Sequence, residues 1–200
     1  MLIEKTASKV VYYLIKKEVI EDENAYTDFY QYGAEITISS LLNVGLIVLI
    51  GILSRHFIDS LIYLPLFILL RKFTGGYHAD TYLKCNIIGC INYLLVLALK
   101  DVSMFLENTK PLSMALGIVS AMVLLLLCPI ENENKPIKQE MMPIYKLLSV
   151  LIGGLYAAAG TVLVFRSIEY GFTVLYTLFT VAVFVIISHI ERRISNEKEN

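Results

Sequence analysis

The sequence predicts an all-α integral membrane protein: six transmembrane helices, the second and third short or partly re-entrant, preceded by an N-terminal amphipathic interfacial helix. Three observations predict this class. Apolar residues make up 56% of the 200-residue chain and charged residues only 18%, against about 25% charged in soluble domains. Six apolar segments, near residues 36–53, 57–70, 86–99, 112–130, 147–165 and 172–190, are separated by polar or charged stretches. The 17 Lys and Arg residues crowd onto alternate connections between these segments.

Residues 1–35 form an N-terminal amphipathic region. Ile3, Ala7, Val10, Val11, Leu14 and Ile15 recur at helical spacing, with Glu4, Lys5, Lys9, Lys16 and Lys17 largely on other faces. That pattern suits a helix lying in the interface plane; a solvated helix packed on the rest of the protein is the alternative. Tyr26, Phe29, Tyr30 and Tyr32 follow, and such aromatics commonly sit at headgroup level. The charges here leave no clean apolar core for a secretory signal.

Residues 36–190 form the six-helix transmembrane domain, and residues 191–200 a cytoplasmic tail. A span wants about 20 residues to cross a hydrocarbon core about 30 Å thick. The last three segments meet that length and the first is close. The second and third are only 14 residues long each, so they extend into their flanks or are partly re-entrant, which is tolerated where protein or a water-filled cavity surrounds the backbone. The stretch 129–136, bounded by Pro129 and Pro136 and of mixed charge, reads as a connector.

With the N-terminus inside, 13 of the 17 basic residues fall on inside segments and only Arg55, Lys100, Lys110 and Arg166 fall outside. Cytoplasmic loops carry such an excess. This places both termini and the segment 71–85 at the cytoplasmic face of a cell membrane. The spans carry almost no ionisable residue, Asp59 lying near an end. A formal net charge of -1 gives no footprint for nucleic acid.

The chemically pointed stretch is Arg71, then Gly75-Gly76-Tyr77-His78-Ala79-Asp80, then Cys85. The three cysteines, Cys85, Cys90 and Cys128, are read as free thiols, because disulfide frameworks need an oxidising compartment and more cysteines. A thiolate is the nucleophile, and a nearby imidazole both lowers a thiol's pKa and protonates a leaving amine. His78 and Cys85 are thus the minimum equipment for covalent peptide cleavage. A straight helix would hold them about 10.5 Å apart along its axis, far beyond the roughly 3 Å contact such a pair needs. Residues 75–85 are therefore expected to be bent or looped. A zinc site from His78, Cys85 and Cys90 matches no common ligand spacing, and neither a metal nor a cofactor is expected.

Arg71, Gly75-Gly76-Tyr77-His78-Ala79 and Cys85, set in a six-segment membrane protein of this size, resemble the accessory gene regulator protein B (AgrB) family of membrane peptidases of Gram-positive quorum sensing. The likeness covers essentially the whole chain, including the amphipathic start and the loop Pro129–Pro136. It implies that residues 36–190 are a peptidase domain with Cys85 as nucleophile and His78 as its base. Arg71, Gly75 and Gly76 are implied as supporting positions that orient the loop or the substrate. It further implies an AgrD-like amphipathic propeptide as substrate, membrane lipid as surroundings and a homodimer. Oxyanion donors stay open between backbone N–H groups near residues 75–77 and the side chain of Asn86; Asp80 is either an orienter of His78 or a solvated acid. A small-peptide or solute transporter, or a non-catalytic scaffold, are the competing classes.

Overall fold

The computed structural model describes residues 2–17, 19, 24–75, 81–106, 108–130 and 139–199. Among these the secondary structure is helical: α1 (Leu2–Lys16), α2 (Asn24–Leu53), α3 (Phe57–Thr74), α4 (Tyr82–Phe105), α5 (Lys110–Leu127), a 3-10 turn at Gln139–Met141, α6 (Met142–Phe165) and α7 (Tyr170–Glu199). Five helices, α2 and α4 to α7, are long and apolar enough to cross a membrane. α3 matches α5 in length at 18 residues but carries Asp59 in its first turn and Arg71 and Lys72 in its last.

The expectation of a short third segment is corrected. α4 is a continuous 24-residue helix. Thr81 starts it from extended backbone (φ -136°, ψ 146°), and its hydroxyl accepts the Lys84 N–H at 3.3 Å, the usual way an N-terminal orphan donor is satisfied. At the other end the helix continues past Lys100, whose charge is neutralised inside the protein. The second segment is likewise one helix through Pro65 to Thr74, so no re-entrant turn occurs in the described part of either. α2 begins well before residue 36 and takes Tyr26 to Gly33 into the helix, while α7 carries helix through most of the expected tail.

α7 is the centre of the bundle. Of its most apolar stretch 72% is buried, against 17% for α2, because α3, α4, α5 and α6 all pack on it. Close approach depends on small residues, as expected where helices meet in lipid. Leu175 of α7 fits between Gly117 of α5 and Gly160 of α6, where an added Cβ would meet its Cδ2 at 2.5 and 2.6 Å. α2 lies on the far side of α3 and α4. Large apolar side chains such as Leu53, Leu126, Leu155 and Phe165 face outward, as a lipid-facing surface requires. α1 packs on α2 through buried Ala7 and Val11, while Lys5, Lys9 and Lys16 stay exposed.

Candidate active site

The helix breaks where the spacing of His78 and Cys85 demanded it. α3 stops at Thr74, and Gly75 takes φ 68°, ψ -142°, a region essentially closed to residues with a Cβ. The turn is fastened to a distant part of the chain. The Ile130 N–H donates to the Thr74 carbonyl at 3.0 Å, and Gly75 pairs with Ile130 as an isolated parallel bridge. A Cβ on Gly75 would lie 2.1 Å from the Ile130 carbonyl oxygen. Gly75→Ala is therefore expected to cost about 1–3 kcal/mol from backbone strain alone. Thermal melting in detergent checks this, with the unaltered protein melting higher.

Arg71 sits one turn before the break. Its Nη1 donates to the Gly75 carbonyl at 3.1 Å, and its guanidinium lies 5.5 Å from the centre of the Phe184 ring. Thr74 Oγ1 also donates to the Gly75 carbonyl, at 3.3 Å. Gly76, His78 and Asp80 lie outside the described residues, and so does the contact expected between His78 and Cys85.

Cys85 is exposed in the first turn of α4, its own N–H donating to the Thr81 carbonyl at 3.0 Å. It borders a cleft of about 290 Å³ that also reaches Arg71, Asn86, Ser39, Asn43 and Phe184. The structure thus brings Arg71 and Cys85, two of the five expected site residues, to one cavity. The other cysteines are differently placed. Cys90 is half-buried on α4, about 140° around the helix from Cys85. Cys128 is buried, and burial pushes its thiol up to about 12, which disfavours the thiolate.

Two features escaped the sequence reading. The first is the polar wall of the cleft on α2, Ser39 and Asn43, which meets Asn86 of α4. A signal was present: the two are four residues apart in an apolar segment, hence on one helix face. The second is a buried charge cluster at the other end of α4. Lys100, 2% exposed, lies 2.7 Å from Asp59 Oδ2, and Asp59 is also 2% exposed. His56 Nδ1 approaches the same oxygen at 3.0 Å, and Thr173 Oγ1 donates to Asp59 Oδ1. Lys100 was expected in an outside loop and the spans were expected nearly free of ionisable groups; both expectations are corrected. Each charge is tolerated because the other neutralises it, and both Asp59 oxygens are hydrogen-bonded. Cys85 and Lys100 are about 22 Å apart along the axis of α4.

Comparison with known proteins agrees with this architecture. The model of the family described as Accessory gene regulator B matches residues 7–190. An AgrB-like protein of Clostridium perfringens (strain SM101 / Type A) is 28% identical over 144 residues, which is 70% of this chain and 63% of that protein. AgrB-like protein 2 of Clostridium perfringens (strain 13 / Type A) is 27% identical over the same length and shares. The similarity to these curated relatives therefore spans less than two thirds of their length. No solved structure matches the chain. With a family match running from α1 into α7 and five helices apolar enough to span a bilayer, this multi-pass membrane protein belongs to the accessory gene regulator B family.

Proposed function

We propose that this chain is a membrane cysteine endopeptidase of quorum sensing that cuts an AgrD-like propeptide and supports its closure to a cyclic peptide. The observation that carries the reading is the position of Cys85: exposed on the first turn of α4, just after the break between α3 and α4, and beside a cleft shared with Arg71. Family membership supports it.

In the first step Cys85 Sγ, its proton taken by His78, attacks a backbone carbonyl of the propeptide. The C–N bond breaks, the C-terminal fragment leaves with the proton from His78, and a thioester remains on Cys85. A thiol within the retained portion then gives its proton to His78 and attacks the thioester. Cys85 leaves as a thiolate and regains the proton, and a thiolactone is released; a serine hydroxyl would give a lactone. Exchange of one thioester for another conserves acyl activation, so no nucleotide is consumed. Water must be kept from the intermediate, which suits a cleft walled by helices. Arg71 and Gly75 hold the start of the loop, and Gly76 allows close approach of substrate.

The same reading takes α3 as a sixth span, its charges grouped at the two ends. Both termini and residues 71–85 then lie at the cytoplasmic face, as the distribution of basic residues favours. α1 lies in the interface, lipid covers the outward apolar side chains, and the protein works as a homodimer. The propeptide, itself amphipathic, would reach the site along the inner leaflet. The test replaces the propeptide's ring-closing residue with Ala, so that the second step is blocked. Mass spectrometry of the recovered protein should find the N-terminal portion of the propeptide attached to Cys85. Cleavage without any such adduct, or an adduct elsewhere, would overturn the proposal.

A further inference from the structure

We propose that Asn86 is a catalytic residue of the Cys85 centre, its side-chain N–H group donating to the oxyanion that forms when Cys85 attacks the scissile carbonyl. The assignment rests on the peptidase reading and deepens it. Asn86 follows Cys85 directly on α4, borders the same cleft and is 5% exposed. Its amide is oriented by two donors from α2: Asn43 Nδ2 at 3.2 Å and Ser39 Oγ at 3.4 Å, both onto Oδ1. Asn43 Nδ2 also donates to the Asn86 carbonyl at 3.3 Å. With two donors committed to one oxygen, the other arm of the Asn86 amide must be the donor arm. Among the described residues that Nδ2 has no hydrogen-bond partner, and it is not among the enclosed polar atoms.

An amide donor that is open to the cleft and has no protein partner is available to a substrate oxygen, and Cys85 borders the same cleft. Two backbone donors next to Asn86 are already committed: Lys84 N–H to Thr81 Oγ1 and Cys85 N–H to the Thr81 carbonyl. The arrangement is also built from behind. A Cβ on Gly89, one turn along α4, would lie 2.6 Å from Asn43 Nδ2, so glycine at that position admits the residue that fixes Asn86. A donor held in place before the reaction costs no reorganisation when charge develops.

As the C–S bond forms, the carbonyl π pair moves onto oxygen, and Asn86 Nδ2–H donates to that oxyanion. When the pair returns, the C–N bond breaks and the amine departs with the proton held by His78. Asn86 donates a hydrogen bond throughout and transfers no proton.

The experiment compares Asn86→Ala and Asn86→Asp with the unaltered protein in proteoliposomes, with an amphipathic AgrD-like propeptide as substrate. The aspartate variant keeps an acceptor oxygen for Asn43 and Ser39, so a purely structural role predicts retained cleavage. The oxyanion role predicts a first-turnover rate lower by about 100- to 1,000-fold in both variants. In Asn86→Ala, which adds no charge, KM and the rate of Cys85 alkylation by iodoacetamide should stay within about twofold, because binding and the free nucleophile are untouched. If both variants fail to fold, Asn43→Ala, which frees the amide to turn, should slow the first turnover about tenfold. First-turnover cleavage by Asn86→Asp, or by Asn43→Ala in its place, at the unaltered rate would overturn the assignment, as would a loss of alkylation in Asn86→Ala that parallels its loss of cleavage. Cleavage surviving Cys85→Ala would instead defeat the peptidase reading itself.

Discussion

Cys85→Ala is expected to abolish propeptide cleavage, a loss of about 10,000-fold or more. No substitute nucleophile is at hand. Cys90 leaves α4 on a different side, and Cys128 is buried with its thiol pushed up to about 12. His78→Ala should cost about 100- to 10,000-fold near neutral pH, the range spanned by removal of a general base. The two losses should differ in their pH dependence. Without His78 only solvent hydroxide is left to take the nucleophile's proton, so the rate climbs as the pH rises. Without Cys85 raising the pH restores nothing. The double variant should be no worse than Cys85→Ala alone, because nucleophile and base act as one unit. Mass spectrometry of co-expressed propeptide checks all three. Normal processing in either single variant would defeat the assignment.

Asp59→Ala is expected to destabilise the protein by about 3–5 kcal/mol, the usual cost of stranding a buried charge. Among the described residues, Lys100 would keep Glu169, at 3.9 Å and itself largely solvated, as its acidic partner. Removing both charges is a different matter. The pair Asp59→Leu with Lys100→Met should recover most of the loss, because apolar replacements of similar volume are often neutral. Thermal melting in detergent reads out both. A double variant as unstable as Asp59→Ala would mean that the hydrogen bonds of His56 and Thr173, not charge balance, hold this end of the bundle.

Much of the architecture is legible in the chain because lipid simplifies the problem. Apolar length alone marks α5, α6 and α7, and the need for His78 to approach Cys85 forecasts the break after Thr74. Length failed at α4, where counting stopped at Lys100. Its burial depends on Asp59, 41 positions away and on another helix, and periodicity carries no record of such a partner. The extent of α2 was missed for a related reason: Glu35 looks like a boundary, yet the helix accommodates it, with Tyr82 and Gln31 donating to its carboxylate. At the site, residue types were legible and their supports were not. Gly75 was singled out for backbone freedom, whereas its fixed contact, Ile130, belongs to a connector that the sequence marks only by its prolines. Asn43 acts through Asn86, and a polar residue in an apolar run shows that a partner exists without showing which.

The tie between Thr74 and Ile130 has a mechanical consequence. It closes α4 and α5 into a ring hung from one point, with α3 arriving at that point and the connector after Ile130 leaving from it. A pull on Ile130 is delivered to Thr74 and Gly75 across their backbone pairing, not through the chain that separates them. Gly75 and Ile130, far apart in sequence, therefore act as one fitting at the end of α3.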